Sequence, residues 1–225
     1  MLLFPIKISP LGDQAILTYW STEVAAQTFA VQLRAQNPGW LQDAVPAYSS
    51  VGIFFDRSKI RIQELIVTLR GGLEISDFQA ESVTGKTHLI PCCYEMQKDM
   101  SRVCDFTRLN PEQVIEQHTS VTYTVYAIGF SPGFPYLGYL PEALQNVPRL
   151  DTPRLRLEAG SVGMTGKQTG VYPLVRPGGW NIVARTPLVL VDVEDRYFPI
   201  DVGDAVKFAR IDEKRFRELE GERLN

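Results

Sequence analysis

The stretch Gly129-Phe130-Ser131-Pro132-Gly133-Phe134-Pro135-Tyr136-Leu137-Gly138 decides the fold. It packs glycine and proline around aromatic residues, and two later segments repeat the recipe. One runs from Ala159-Gly160-Ser161-Val162-Gly163 through Gly166-Lys167-Gln168-Thr169-Gly170 to Val171-Tyr172-Pro173. The other is Pro177-Gly178-Gly179-Trp180-Asn181-Ile182-Val183. Glycine is required where φ is positive or another backbone comes close, and aromatic rings offer flat apolar contact. From Val121 onward the chain reads as short strands between such clusters, with one helical turn near Glu142-Ala143-Leu144. That spacing predicts a mainly-β barrel or sandwich. The glycines and prolines either turn its corners or shape a binding loop.

Working back from this segment, Asn110-Pro111-Glu112-Gln113 opens a helix, with Asn at the N-cap, Pro at the first helical position and Gln three residues after the cap. The helix is expected to run to about Gln117 and to deliver His118 at its C-terminal end. Pro91, inside the strand that begins at His88, predicts an edge strand. Residues 74–87 are polar and weakly periodic and are taken as the domain boundary.

The N-terminal part has a different rhythm. Ile6-Lys7-Ile8 and Ala15–Tyr19 read as strands around a turn at Leu11-Gly12-Asp13. Ala26, Phe29, Ala30 and Leu33 form a helical stripe with Ser21 as its cap, and Asn37-Pro38-Gly39 stops it. Tyr48–Phe55 is a strand, and Ile62, Leu65, Ile66 and Leu69 mark a second helix capped by Asp56 or Ser58. The expected architecture is an α+β N-terminal domain over residues 1–85, followed by a mainly-β barrel domain over residues 86–225.

Composition narrows the function. The 225 residues are 44% hydrophobic and 22% charged with a net charge of −3, ordinary for a globular protein. No basic stripe is present to displace counterions from phosphates, so nucleic-acid binding is not expected. No apolar run approaches the ~20 residues that cross a bilayer, and Met1–Pro5 lacks a leader's basic start, so a cytoplasmic protein is expected. Cys92, Cys93 and Cys104 have no Cys-x-x-Cys spacing, and adjacent strand residues face opposite ways, so reduced structural thiols and no metal site are expected.

Several residues carry candidate chemistry. His118, at a helix end beside the aromatic loop, would be favoured in its charged form by the helix dipole and would serve as an acid or base if it faced a cleft. Arg149, Arg154 and Arg176 are candidate carboxylate clamps. Gly166-Lys167 is not a phosphate loop, because Gln168 and strand-like Val171-Tyr172 follow it instead of Ser or Thr and a helix. Ser131 and Ser161 lack a nucleophile elbow.

These motifs resemble the carboxyltransferase C and D subdomain family, formerly labelled allophanate hydrolase subunit 1. The matching residues are Gly129–Gly138, Thr152-Pro153-Arg154, Ala159–Gly163, Gln168-Thr169-Gly170, Tyr172-Pro173 and Pro177–Trp180, with His118 and Pro10-Leu11-Gly12-Asp13. Glu158 stands where the family usually has proline, Lys167 where glycine is common, and residues 94–102 look shorter than the usual loop.

The resemblance implies a cyclophilin-like barrel for the second domain. It also implies one of two roles, because the family includes the B subunit of ATP-dependent 5-oxoprolinases and the sporulation kinase A inhibitor. The first role implies 5-oxoprolinase subunits A and C as partners, and ATP used by the complex but held outside this chain. Arg154 would grip the substrate carboxylate, Gln168 would hydrogen-bond the ring amide and His118 would move a proton. Phe134, Tyr136 and Tyr172 would wall the cleft, with Ser161, Lys167 and Trp180 completing the substrate-binding set. The second role implies docking of a sensor histidine kinase on the same aromatic loop. Biotin-dependent carboxyl transfer ranks below both, since no Met-Lys-Met acceptor is present.

Overall fold

A computed structural model describes residues 4–71 and 85–224, which fall into two units, Met1–Thr84 and Gly85–Asn225. Most of the expected boundary at 74–87 therefore lies outside the described residues.

In the first unit, β1 (Lys7–Pro10), β2 (Ala15–Tyr19), β3 (Leu41–Ala47) and β4 (Ser50–Phe55) form an antiparallel sheet in the order β1-β2-β4-β3. Helices α1 (Glu23–Gln36) and α2 (Ile62–Arg70) complete it. Ile16, Trp20, Phe29, Leu33, Val51, Ile53, Phe55, Leu65 and Leu69 meet in one core, so the α1 stripe read from sequence is buried whole, while from the α2 stripe Leu65 and Leu69 are buried, Ile62 packs against them and Ile66 stays outside the cluster.

Three details depart from expectation. Strand β3 is not visible in the sequence pattern: its first half is polar, and Pro46 interrupts the alternation. It is an edge strand, where a missing N–H is tolerated. Thr22, not Ser21, caps α1, accepting the Ala25 N–H at 3.1 Å. Asp56 instead closes a turn with Ser58, and α2 starts at Arg61, whose N–H reaches the Glu64 carboxylate at 3.2 Å.

The second unit is built on a closed barrel of β5 (Thr87–Cys93), β6 (Thr122–Ile128), β7 (Pro135–Gly138), β9 (Ser161–Thr165), β10 (Gln168–Val171), β12 (Asn181–Arg185) and β13 (Ala205–Ile211), in the order β10-β7-β6-β13-β5-β12-β9. Closure leaves no edge, which corrects the expectation for Pro91. Strand β5 pairs with β13 along its length, but with β12 only at Cys93–Arg185, so at Pro91 one side is free of the ladder. Strands β8 (Arg154–Leu157) and β11 (Arg176–Gly178) form a separate two-stranded ribbon.

Helix α3 (Met100–Thr107) begins inside the stretch 94–102 that reads as a loop in the sequence. Helix α4 (Pro111–Ser120) has the expected capping box: Asn110 Oδ1 accepts the Gln113 N–H and Gln113 Oε1 accepts the Asn110 N–H, both at 2.9 Å. Helix α5 (Glu213–Leu219) follows β13. Inward-facing residues of the barrel strands, among them Val125, Leu137, Val162, Met164, Val171, Val183, Val206 and Phe208, join Val103, Val114 and Ile115 from α3 and α4 in one core. The three cysteines are free; Cys92 is in that core, while Cys93 contacts Glu95.

Candidate functional site

Strand alternation sorts β9 and β10 into two faces. Val162, Met164 and Val171 enter the barrel core, whereas Gly163 and Gly170 lie on the outer face as direct cross-strand partners. Tyr136 of β7 stands opposite Gly170. Two adjacent positions without side chains make a shallow floor, and aromatic rings fill it. Phe134 lies 5.0 Å from Tyr136, 5.1 Å from Tyr172 and 5.4 Å from Trp180, each edge to face. Such pairs add about 0.5–1.5 kcal/mol each beyond area burial. A Cβ at Gly170 would stand 2.7 Å from the Pro135 carbonyl oxygen and 3.0 Å from Phe134 Cζ. These glycines are therefore present to admit rings, while Gly166 (φ +55) turns the β9–β10 hairpin with open space around it.

The three glycine-aromatic segments thus converge on one surface. Its buried part is Phe134, Tyr172 and Trp180, joined by Leu157 and Ile182. Tyr136 is half-buried at the rim, and Phe130, at positive φ, is 58% exposed with its ring edge-on to Phe134 and Tyr172. Burial raises the Tyr172 hydroxyl to about 12, partly opposed by the Trp180 N–H that it accepts and by the Arg149 charge. Burial raises Tyr136 too, again against Arg149. Both hydroxyls stay neutral donors at physiological pH.

The remaining expected site residues are elsewhere or differently engaged. His118 does not face a cleft. It is fully buried in the barrel core, stacked on Phe208 at 4.6 Å. Its Nδ1 is 2.7 Å from the Tyr94 hydroxyl and its Nε2 is 2.9 Å from the Thr169 hydroxyl. Thr169 donates its own hydrogen to the Gly163 carbonyl at 3.0 Å, so Nε2 carries the proton and Nδ1 accepts from Tyr94. Burial lowers its pKa to about 3, overriding the helix-end field that favours the charged form.

Arg154 is likewise occupied. Its terminal nitrogens bond both oxygens of buried Asp99, at 3.0 and 2.6 Å, and Asp99 also accepts the Ile182 N–H at 2.7 Å. Ser161 is buried and donates to the Glu158 carbonyl at 2.7 Å. It lines a separate cavity of about 250 Å³ with Met96, Lys98, Ile182 and Arg185. Lys167 is exposed on the hairpin turn. Gln168 lies on the same outer face as Gly170, one pleat nearer that turn. The structure therefore brings together Phe134, Tyr136, Tyr172 and Trp180, with Gln168 on the adjoining face.

Sequence reasoning misses Asp99, Thr169 and Tyr94. Asp99 directly precedes α3, a position where acidic residues favour a helix start, but its link to Arg154 spans 55 residues and leaves no local trace.

A family model for the carboxyltransferase domain, subdomain C and D, matches residues 6–199. The chain belongs to this family. It is 34% identical over 229 residues to the 5-oxoprolinase B subunit of Bacillus subtilis (strain 168), covering 93% of this chain and 95% of that protein. To the 5-oxoprolinase B subunit of Haemophilus influenzae it is 36% identical over 216 residues, covering 90% and 97%. Among solved structures it resembles TTHA0988 with a TM-score of 0.75 at 30% identity, covering 88% of this chain. The chain spans only 40% of that longer chain. The three glycine-aromatic segments that build the aromatic face lie inside the matched residues. Among the described residues no helix is long and apolar enough to cross a membrane.

Proposed function

We propose that this chain is the B subunit of a cytoplasmic, ATP-dependent 5-oxoprolinase that opens 5-oxo-L-proline to L-glutamate together with subunits A and C. Similarity along nearly the whole length of two proteins bearing that name supports it. The observation that carries it at the site is the character of the aromatic face. Phe130 stands open at its rim with Tyr136 half-buried beside it, backed by a rigid barrel, yet the imidazole expected to work there is sealed in the core. Such a face binds and orients a small flat molecule and leaves proton transfer to groups supplied by partner subunits.

The ring amide of 5-oxoproline is unstrained and resonance-stabilised, so its hydrolysis needs activation. ATP supplies this by phosphorylating the amide oxygen. The β9–β10 segment is a hairpin with an exposed Lys167, not a phosphate cradle at a helix start, so nucleotide binding is assigned to the rest of the complex. Phe130 and Tyr136 at the rim would exclude water from one face of the substrate, backed by the buried rings of Phe134, Tyr172 and Trp180, and Gln168 would hydrogen-bond the ring amide.

The test is glutamate release from 5-oxoproline and ATP by this chain with its candidate A and C subunits, each omitted in turn. Activity that disappears without this chain supports the assignment. An inactive mixture of three folded subunits would overturn it and turn attention to the aromatic face as a docking surface for a sensor histidine kinase.

A further inference from the structure

We infer that Arg149 is the residue through which the aromatic face recognises a substrate carboxylate, and that the face takes a monocarboxylate carrying a flat, uncharged ring. This rests on the 5-oxoprolinase assignment and names the group that grips the substrate. Three arginines are candidates for that work, and their surroundings separate them. Arg154 has both terminal nitrogens on Asp99. Gripping a ligand would strip a buried carboxylate of its cation, leaving the Ile182 N–H as its remaining protein partner. Arg176 projects from the β8–β11 ribbon and bonds its neighbour's carbonyl, that of Val175, at 3.0 Å. Neither Arg149 nor Arg176 has an ion-pair partner among the described residues, but the Arg176 guanidinium is held on that carbonyl.

What distinguishes Arg149 from an ordinary surface cation is its anchoring. The Leu150 N–H bonds the Gly179 carbonyl at 2.8 Å, and Asn181 Nδ2 bonds the Pro148 carbonyl at 2.9 Å. Arg102 reaches the Arg149 carbonyl itself at 3.3 Å, and the Gly166 N–H holds the Val147 carbonyl at 2.9 Å. The backbone on either side of Arg149 is thus stitched to the β9–β10 turn and to the residues flanking Trp180. From there its charge acts on the hydroxyls of both Tyr136 and Tyr172.

A guanidinium on a fixed backbone next to the rim of this cluster can hold a carboxylate through two parallel hydrogen bonds while the ring of the same ligand lies on the accessible edges of Tyr136 and Phe130.

The test uses the reconstituted complex with Arg149→Ala and Arg149→Lys. The expected result for the alanine variant is a rise in KM for 5-oxoproline of about 10- to 100-fold, as befits loss of a charged hydrogen-bond pair. KM for ATP should not move, and lysine should recover part of the loss. 2-Pyrrolidinone, which keeps the ring and lacks the carboxylate, should be handled equally by wild type and variants. An active complex in which Arg149→Ala leaves KM for 5-oxoproline unchanged overturns this inference and leaves the 5-oxoprolinase assignment standing. An inactive wild-type complex overturns the assignment and this inference with it.

Discussion

His118 donates its Nε2 hydrogen to Thr169, and Thr169 passes its own hydrogen to the carbonyl of Gly163, the glycine beneath the aromatic face. This chain of bonds fixes a neutral imidazole in the barrel core, and acid should therefore weaken the fold. In the unfolded chain the imidazole binds a proton near 6.5, and in the folded chain only near 3. Between those values the unfolded state holds more protons, so stability falls as pH drops from 6.5 toward 3, by up to about 1.4 kcal/mol per pH unit. Urea midpoints of wild type and His118→Gln at pH 7 and pH 5 check this. The variant should be less stable at pH 7 by about 2–4 kcal/mol and should lose less on acidification. Parallel losses in the two proteins would rule out His118 as the titrating group.

The Arg154–Asp99 pair makes a prediction about stability instead of catalysis. Asp99→Ala removes the acceptor of the Ile182 N–H and of both guanidinium nitrogens. Because Arg154 is about a third exposed and can turn to water, the cost should be nearer 2 kcal/mol than the full cost of an orphaned buried charge. Arg154→Ala strips buried Asp99 of its cation and should lower the thermal midpoint, while leaving KM for 5-oxoproline within about twofold of wild type because both terminal nitrogens are spent on Asp99 and not on a ligand. A tenfold rise in KM without loss of stability would restore Arg154 as the clamp.

Sequence and structure agree where local chemistry decides. The capping box at Asn110 and Gln113, the stripe Ala26-Phe29-Ala30-Leu33 and the convergence of glycine with aromatic residues are all written in near neighbours. Strand β3 escapes because Gln42 and Asp43 are solvent-facing and Pro46 disguises it. His118 is misplaced for a different reason. A helix end predicts a field, but whether that end meets water or a barrel interior depends on Tyr94, Thr169 and Phe208, which arrive from 24, 51 and 90 residues away. Arg154 looks available for the same reason, since nothing near it in sequence announces Asp99.

The glycine floor predicts a contrast between two small substitutions. Gly170→Ala would push its new methyl toward the Pro135 carbonyl at 2.7 Å and Phe134 at 3.0 Å, so the ring or the strand must shift. A loss of about 1–3 kcal/mol is expected from overpacking, with weakened substrate binding by the displaced rings. Gly166→Ala meets open space but sits at φ +55, where an L residue costs about 1–2 kcal/mol, and the aromatic face should be untouched. Paired measurements of thermal midpoint and KM separate the cases. Equal KM values for the two variants would mean that the rings do not touch substrate.

Phe130 offers the sharpest separation of folding from function. Its ring is more exposed than buried, so Phe130→Ala should cost the isolated chain no more than about 1 kcal/mol, the scale of its edge-on contacts with Phe134 and Tyr172. If the open rim is where a partner subunit or the substrate closes over the face, the same truncation removes an aromatic anchor. Anchors of that kind contribute about 2 kcal/mol or more at an interface, equivalent to a loss of affinity beyond tenfold. Titrating the variant against the other subunits reads assembly, and saturating it with them reads catalysis. Weaker assembly with normal activity at saturation places Phe130 at the junction between subunits, whereas normal assembly with a raised KM places it on the substrate. If both stay at wild-type values, the exposed ring has no part in either contact.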